Sequence, residues 1–337
     1  MNNKSYERVW RITMIPRQDF SGMDPGRAVV ISDSGNVDWG TGFKTQYETN
    51  PLHCKFNVES MMSEPHYGEL TVYNMSKDTI NLLAFEGSRL IIEAGYKGAW
   101  GKIWDGNVFQ FIEYRENVTD RVCIFNTVRG KVITADTFIV ASLSGKRTIN
   151  NRVEHVTQQL RMDVEPSKEL KEEVQQTVRR TVFFGEGKKY LRDEMSLRGR
   201  KLVVNDIGKY TDSNIAKDVS TGEVLEISPE SGLIGLPQQV DRGVSFQCLL
   251  DHRLKYDAPN YVTVRLKNTE VKGLKMQYGG KPPLMDKKGE YTVISVTHAG
   301  DTRGNDWYSN VQTVVNPAMI VENAPSGGEY TANGRYG

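Results

Sequence analysis

Cysteine is scarce in this chain: Cys54, Cys123 and Cys248 are the only three in 337 residues, and no two have CxxC spacing. That excludes a zinc knuckle or dithiol redox motif, and leaves three thiols in strand-like runs, read as buried and free. Charge of either sign is not in excess: 43 basic against 42 acidic residues give a net charge of +1. A protein whose main work is to hold bare nucleic acid needs a dominant basic surface, which this balance argues against. Long apolar runs are missing too. None approaches the ~18 residues of a membrane span, and the start, MNNKSYERVWRITMIP, lacks the apolar core of a signal peptide. Synthesis and assembly in the cytoplasm, with no stable membrane association, are expected.

Reaction chemistry is equally thin. Five histidines are present, His53, His66, His155, His252 and His298. His53 and Cys54 are adjacent, and a strand sends neighbours to opposite faces, so they do not readily share a metal ion with His66. His155 falls among charged helical neighbours and reads as a surface residue. His298 and Asp301 suggest an acid–base pair, but no third group completes a catalytic set. The plainer reading is a strand-end histidine followed by a turn in which Asp301 caps amides while Gly300 and Gly304 supply unusual dihedrals. Asp251-His252 reads the same way. GLIGLP lacks the lysine and hydroxyl of a phosphate loop, and FFGEGKKY lacks GxGxxG spacing. Paired carboxylates for sugar hydrolysis leave no spacing to read. The residues therefore nominate no catalytic residue, no metal ligand and no cofactor.

What is present is strand pattern in two blocks around a charged middle. A chain of this length holds two or three compact domains. Residues 1–129 contain RVWRITMI, HCKFNVE, GELTVYNM, SRLIIEAGY, KIWDGNVFQFIEYR and RVCIFNTV, separated by turn residues. Alternation in Lys102 to Arg115 puts Phe109 and Phe111 on one side and Trp104, Val108, Ile112 and Tyr114 on the other. Apolar groups on both faces fit a barrel wall packed on another subunit, or equally a sandwich strand under a helix. Ser76 to Gly87 has helical spacing at Ile80, Leu83 and Ala84, with Ser76 as cap and Gly87 as stop.

Residues 130–230 differ. From Asn151 to Arg200, 20 of 50 residues are charged. Val153, Val156 and Leu160 form one stripe, Leu170, Val174 and Val178 a second, and Tyr190, Leu191 and Met195 lie on adjoining turns. These are amphipathic helices with solvated, ion-paired outer faces. KLVVND and EVLEIS are expected to close this small α/β unit as two short strands. Residues 231–320 return to strands, as in YVTVRL, where Val262, Val264 and Leu266 point one way and Tyr261, Thr263 and Arg265 the other. Residues 321–337 are rich in Gly, Asn and Ser, and are expected to be disordered unless a partner chain holds them. The fold class is mainly β with an inserted α/β unit.

Three segments carry a resemblance over some 240 residues. In the first block, Tyr73, Asn74, Met75 and Ser76 end a strand before a short helix; Ala94, Gly95 and Tyr96 and then Gly106 follow in order. In the middle lies TVFFGEGKKYLRDEM. In the last block are GLIGLPQQVDRGVSFQCLLDHRL and HAGDTRGNDWY. Together they resemble the central baseplate hub proteins of contractile-tailed phages and related injection systems. The stretch from Pro16 to Asp38 is longer than that family leads one to expect, and the middle richer in charge.

The resemblance implies two tube-like β-barrel domains flanking the middle region, and a homotrimer whose six barrels imitate sixfold symmetry. It implies a structural role in the virion tail baseplate and no enzyme activity. The implied partners are a tail tube or tube-initiator ring, a central spike protein, other baseplate proteins, the tape-measure protein, and the genome only in passage through the channel. Two other classes stay open from the residues alone. One is a cell-wall hydrolase of the tail tip; the other is a carbohydrate-binding β protein, favoured by an exposed aromatic pair at Trp307 and Tyr308.

Overall fold

The computed structural model describes residues 7–18, 22–23, 27–33, 47–49, 52–62, 66–129, 138–143, 145–160, 165–173, 180–205, 209–214, 218, 224–240, 242–273 and 289–315. The tail at 321–337 lies outside them, as do Val174, Val178 and much of the long stretch after Pro16. The first block holds β1 (Arg8–Ile15), β2 (Arg17–Gln18), β3 (Gly22–Met23), β4 (Val29–Ser32), β5 (Tyr47–Thr49), β6 (Cys54–Met61) and β7 (His66–Tyr73). Helix α1 (Lys77–Leu83) then leads to β8 (Arg89–Tyr96), β9 (Ala99–Arg115) and β10 (Arg121–Arg129). The middle holds β11 (Phe138–Leu143), α2 (Ile149–Leu160), α3 (Lys168–Glu172), β12 (Thr181–Glu186), α4 (Gly187–Ser196), β13 (Lys201–Val204) and β14 (Tyr210–Ser213). The last block holds β15 (Val224–Ile227), β16 (Leu233–Val240), β17 (Gly243–Leu249), β18 (Thr263–Leu266), β19 (Glu290–Asp301) and β20 (Trp307–Val315).

The chain is mainly β, and the two strand blocks share one sheet. Its path runs β16-β17-β20-β19-β6-β7-β10-β9-β8-β1-β4-β5, with β15 and β18 attached beside β19, fourteen strands in all. β19 makes the join. Its first residues pair with β18 (Thr263↔Thr292, Arg265↔Glu290), and its later ones with β6, from Ser295↔Met61 to Asp301↔Lys55. One long strand thus serves two neighbours along the same edge.

Alternation along the strands explains which face is dry. In β6, Cys54, Phe56, Val58 and Ser60 are buried while Lys55 and Asn57 are exposed. The inward residues of β1, β7, β8 and β10 join them in a core centred on Ile12, Leu70, Ile92, Trp104 and Phe125, capped by Ile80 and Leu83 of α1. Burying each such large side chain contributes roughly 1.5–3 kcal/mol. The last block has its own core around Leu225, Phe246, Val264, Tyr291 and Val311. Trp307, although it opens β20, is buried in the first core together with Leu250.

The middle residues build a third core. The ribbons β11·β12 and β13·β14 are each antiparallel. Val153, Val156, Leu160, Leu191 and Met195 of α2 and α4 pack against them, as their spacing predicts. Arg152 and Tyr190 hydrogen-bond to the buried Glu194, which also accepts from Arg198 at 3.0 Å. A charge so placed has to be paired to be tolerated inside. The unit meets the last block where Val203 packs with Tyr256, Ala258 and Tyr261, and where the Ser213 and Tyr261 hydroxyls lie 2.6 Å apart.

Four local expectations are revised. Strict alternation in β9 fails because one residue, Phe109, is extra: Gln110 faces Asn126 but Val108 faces Thr127. This bulge puts Val108 and Phe111 on the core face with Trp104, while Ile112 and Tyr114 turn outward. EVLEIS does not close the α/β unit. As β15 it pairs in parallel with β18, and KLVVND instead pairs with the polar YTDS of β14, whose composition hides a strand. Ser76 does cap α1, accepting from the Thr79 amide at 3.2 Å, but the helix stops at Leu83, and Gly87 serves the next turn with φ 88°. Gly300 is needed for space, not for an unusual dihedral. A Cβ there would sit 2.2 Å from the Phe56 ring across the join.

Gly300→Ala is therefore expected to cost about 1–3 kcal/mol of stability in urea unfolding, the usual range for overpacking. Adding Phe56→Leu in the same chain should recover part of that loss.

Candidate functional site

The join between the blocks gathers the polar side chains that the sequence had scattered over some 250 positions. Asp301 ends β19 and turns the chain. Its Oδ1 accepts from the backbone amides of Arg303 at 2.9 Å and Gly304 at 2.7 Å, and from His53 Nε2 at 2.7 Å. Lys55 Nζ stands 3.5 Å from its other oxygen. Partial burial alone would raise the Asp301 carboxyl; the Arg303 amide, His53 and the Gly304 amide outweigh it and hold the group below the ordinary carboxylate value. The capping role expected of Asp301 is present, but its histidine is His53, stacked on Tyr73 at 4.5 Å, and not His298.

The turn after Asp301 is tied to the first block through several backbone groups. Arg8 donates to the carbonyls of Gly304 at 2.6 Å, Asn305 at 3.0 Å and Asp301 at 3.2 Å, with its guanidinium 5.3 Å above the Trp307 ring. Thr302 and Cys54 exchange two hydrogen bonds of 2.9 Å. Trp307 donates its indole N–H to the Gly95 carbonyl at 3.1 Å. The residues of the GDTRG turn and the Ala-Gly-Tyr strand, singled out separately in the sequence, thus meet. Nothing in the spacing of Arg8 or His53 announces these long-range partners.

Trp307 is 2% exposed, so the aromatic pair expected to favour a sugar ligand is half missing from the surface. His298 is not at a strand end. It lies within β19, fully buried, with one ring nitrogen 2.8 Å from Ser309 Oγ and the other 3.0 Å from the Leu254 carbonyl. Burial drives its pKa from 6.5 down to about 4. His66 is buried against the Met61 carbonyl at 2.7 Å, His155 sits 3.3 Å from Gln159 on α2, and His252 lies beside Asp251 at 3.9 Å. Among the described residues no group of three or more His, Cys, Asp or Glu is placed to hold a metal ion. The three cysteines are buried and free; burial lifts Cys123 to about 11 and Cys54 and Cys248 higher still.

Two kinds of surface surround the join. On the face turned away from the core lies a shallow depression of about 350 Å³, lined by Lys55, Asn57, Glu69, Thr297, Asp306 and Asn310. Apolar side chains are also exposed in two patches, one on β7 and β9 and one on β16. Tyr67, Phe109, Ile112 and Tyr114 make up the first, and Ile234, Leu236 and Val240 the second, on the edge strand β16.

No family model matches the chain, and no curated protein does. Among solved structures it is similar to the 43 kDa tail protein of prophage MuSo2 from Shewanella oneidensis. The two are 9% identical with a TM-score of 0.54, over 92% of this chain and 99% of that one. A tail protein from Neisseria meningitidis MC58 aligns over 78% of this chain and 92% of its own at 6% identity and TM-score 0.49. A type VI secretion component of E. coli aligns over 78% and 74% at 9% identity and TM-score 0.47. At such identities the likeness is one of fold, and it rests on the first: the chain has the fold of a phage tail protein.

Two outcomes follow. The folded protein should take up no thiol reagent at neutral pH, and three equivalents per chain once denatured. Stability should fall as pH drops from 6.5 toward 4, because there the unfolded chain binds a proton that buried His298 refuses. The loss is roughly 3 kcal/mol at about 1.4 kcal/mol per pKa unit, and His298→Gln should flatten it in unfolding measured across that range.

Proposed function

We propose that the chain is a structural hub of a phage tail baseplate. In this reading it is a homotrimeric adaptor that joins the sixfold tail tube, or a tube-initiator ring, to a threefold central spike. It encloses the central channel and works through buried subunit contacts without catalysis. The observation that carries the reading is the arrangement about the join. Moving outward from it, the first block presents β6-β7-β10-β9 and the last block β19-β20-β17-β16. Each side is a hairpin followed by a second hairpin, four antiparallel strands apiece. Two alike modules of this kind, at residues 1–129 and 231–320, let three chains offer six repeats to a sixfold neighbour. Residues 130–230 then form an outer unit.

The exposed apolar groups favour the same reading. They form two unlike patches, one on β7 and β9 and one on β16, and contacts between unlike patches run head to tail and give a ring where the rotation closes. Isolated apolar residues are ordinary on a surface, but clusters mark contacts. A prophage tail protein that shares the fold across nearly its whole length adds support. The carbohydrate-binding alternative loses its main residue with the burial of Trp307.

Light scattering on the purified full chain should give a mass three times 38.1 kDa. Ile112→Glu or Leu236→Glu should yield folded monomers with unchanged circular dichroism. A wild-type chain that stays monomeric at high concentration would overturn the proposal.

A further inference from the structure

The ribbon of β11 and β12 is apolar on both faces. Ile139, Leu143 and Phe183 point into the core of the α/β unit. Phe138, Val140, Val182 and Phe184 point the other way and are 56, 65, 71 and 78% exposed. The register sets Val140 across from Phe184, and the Phe138 and Phe184 rings meet edge to face with centroids 5.1 Å apart, so the four side chains form one patch. A sheet that is apolar on both faces is ordinarily covered on both, and here α2 and α4 cover one. Alternation extends the outward row of β12 at each end: Arg180, Val182, Phe184 and Glu186 share it, all exposed. The row therefore reads cation, apolar, apolar, anion. Glu186, though it opens α4, makes no capping hydrogen bond with its side chain.

That order is complementary to itself in reverse. Two such ribbons laid face to face about a twofold axis bring Arg180 of one chain against Glu186 of the other, twice, with Val182 set over Phe184 between them. A twofold contact uses the same patch on both chains and stops at two. A partner of any other kind would have to carry the same order of charges; a second copy has it by construction. We infer that β11 and β12 form a self-pairing surface, and that its occupant is the same ribbon of a second copy of this chain. The four side chains expose roughly 500 Å² per chain, on the scale of 150–250 Å² for one buried aromatic. Twice that, about 1,000 Å², falls short of the roughly 1,200–2,000 Å² of a stable interface. The pairing is thus weak and concentration-dependent, one that copies held close in a larger assembly make and dilute chains do not. It is separate from the threefold contacts proposed above, which use β7, β9 and β16.

The test uses the full-length chain, whose native thiols are buried. Val140→Cys lies within one residue of the proposed axis. A short bis-maleimide should join it to its own copy, giving two chains on a denaturing gel in a yield that rises with protein concentration. Leu197→Cys, at the C-terminal cap of α4 where Leu197 is 82% exposed, is the control. Adding Phe184→Glu to Val140→Cys should lower the yield about tenfold, as loss of a central aromatic does. Arg180→Glu alone and Glu186→Lys alone should each lower it, and the two together should restore it, a recovery that misfolding does not produce. Val140→Cys that cross-links no better than Leu197→Cys overturns the inference, as does a charge-reversed pair that stays as low as its single members. So does a wild type that binds phosphatidylglycerol vesicles through this patch, shown by loss on Phe184→Glu, because the occupant would then be lipid. The product holds two chains whether or not the threefold contacts form. A trimer that yields none overturns this inference alone, and a monomer that yields it overturns the hub reading alone.

Discussion

One strand holds the β architecture together. β19 pairs with β18 at its start and with β6 at its end, so the two strand blocks cannot separate without breaking a central ladder. The ladder is reinforced on its core side and beyond its end. Beneath it, the Phe56 ring occupies the space that a side chain at 300 would take, and Trp307 crosses into the neighbouring core. Beyond its end, the Asp301 turn is moored by Arg8, His53 and Thr302. Hydrogen bonds to charged groups contribute about 1.5–3 kcal/mol each, and several acting on one turn make it a fixed part of the fold. Placement of the polar depression and of the exposed apolar patches follows from this junction, because it sets how the two sets of four strands align.

The α/β unit is held differently. Its core is aliphatic, but its specificity resides in buried charge: Glu194 is met by Arg152, Tyr190 and Arg198, and Arg200 by Asp212 and Glu169. Removing one member of such a set leaves a desolvated charge behind, which is far more costly than an exposed pair. The unit touches the sheet through a small patch around Tyr256 and Tyr261. Among the described residues it is thus a separately cored unit that packs on the last block around these tyrosines.

Much of this was legible in the residues. Strands with clean alternation, such as RVWRITMI, HCKFNVE and YVTVRL, and helices with a single apolar stripe, such as α2, follow directly from periodicity. Three strand-borne cysteines read as buried thiols are buried thiols. The misreadings have local causes. A bulge adds one residue and reverses every later side chain, so Val108 and Phe111 share a face that alternation denies them. YTDS makes a strand because Asp212 and Ser213 find partners inside, which composition cannot foretell. The junction itself was invisible: Arg8 and Asp301 are 293 residues apart, and pairing over that distance leaves no periodic trace.

The hairpin of β9 and β10 has one more physical effect. β8 accompanies β9 only as far as Asn107, so from Phe109 to Arg115 one side of the strand has no partner strand among the described residues. Its backbone amides and carbonyls point outward beside Ile112 and Tyr114, with Val118 at the tip 92% exposed. Such an edge accepts any extended segment of suitable length, the right one or a wrong one. Covering that edge adds a strand to the sheet; left bare, it keeps a row of backbone donors and acceptors in water.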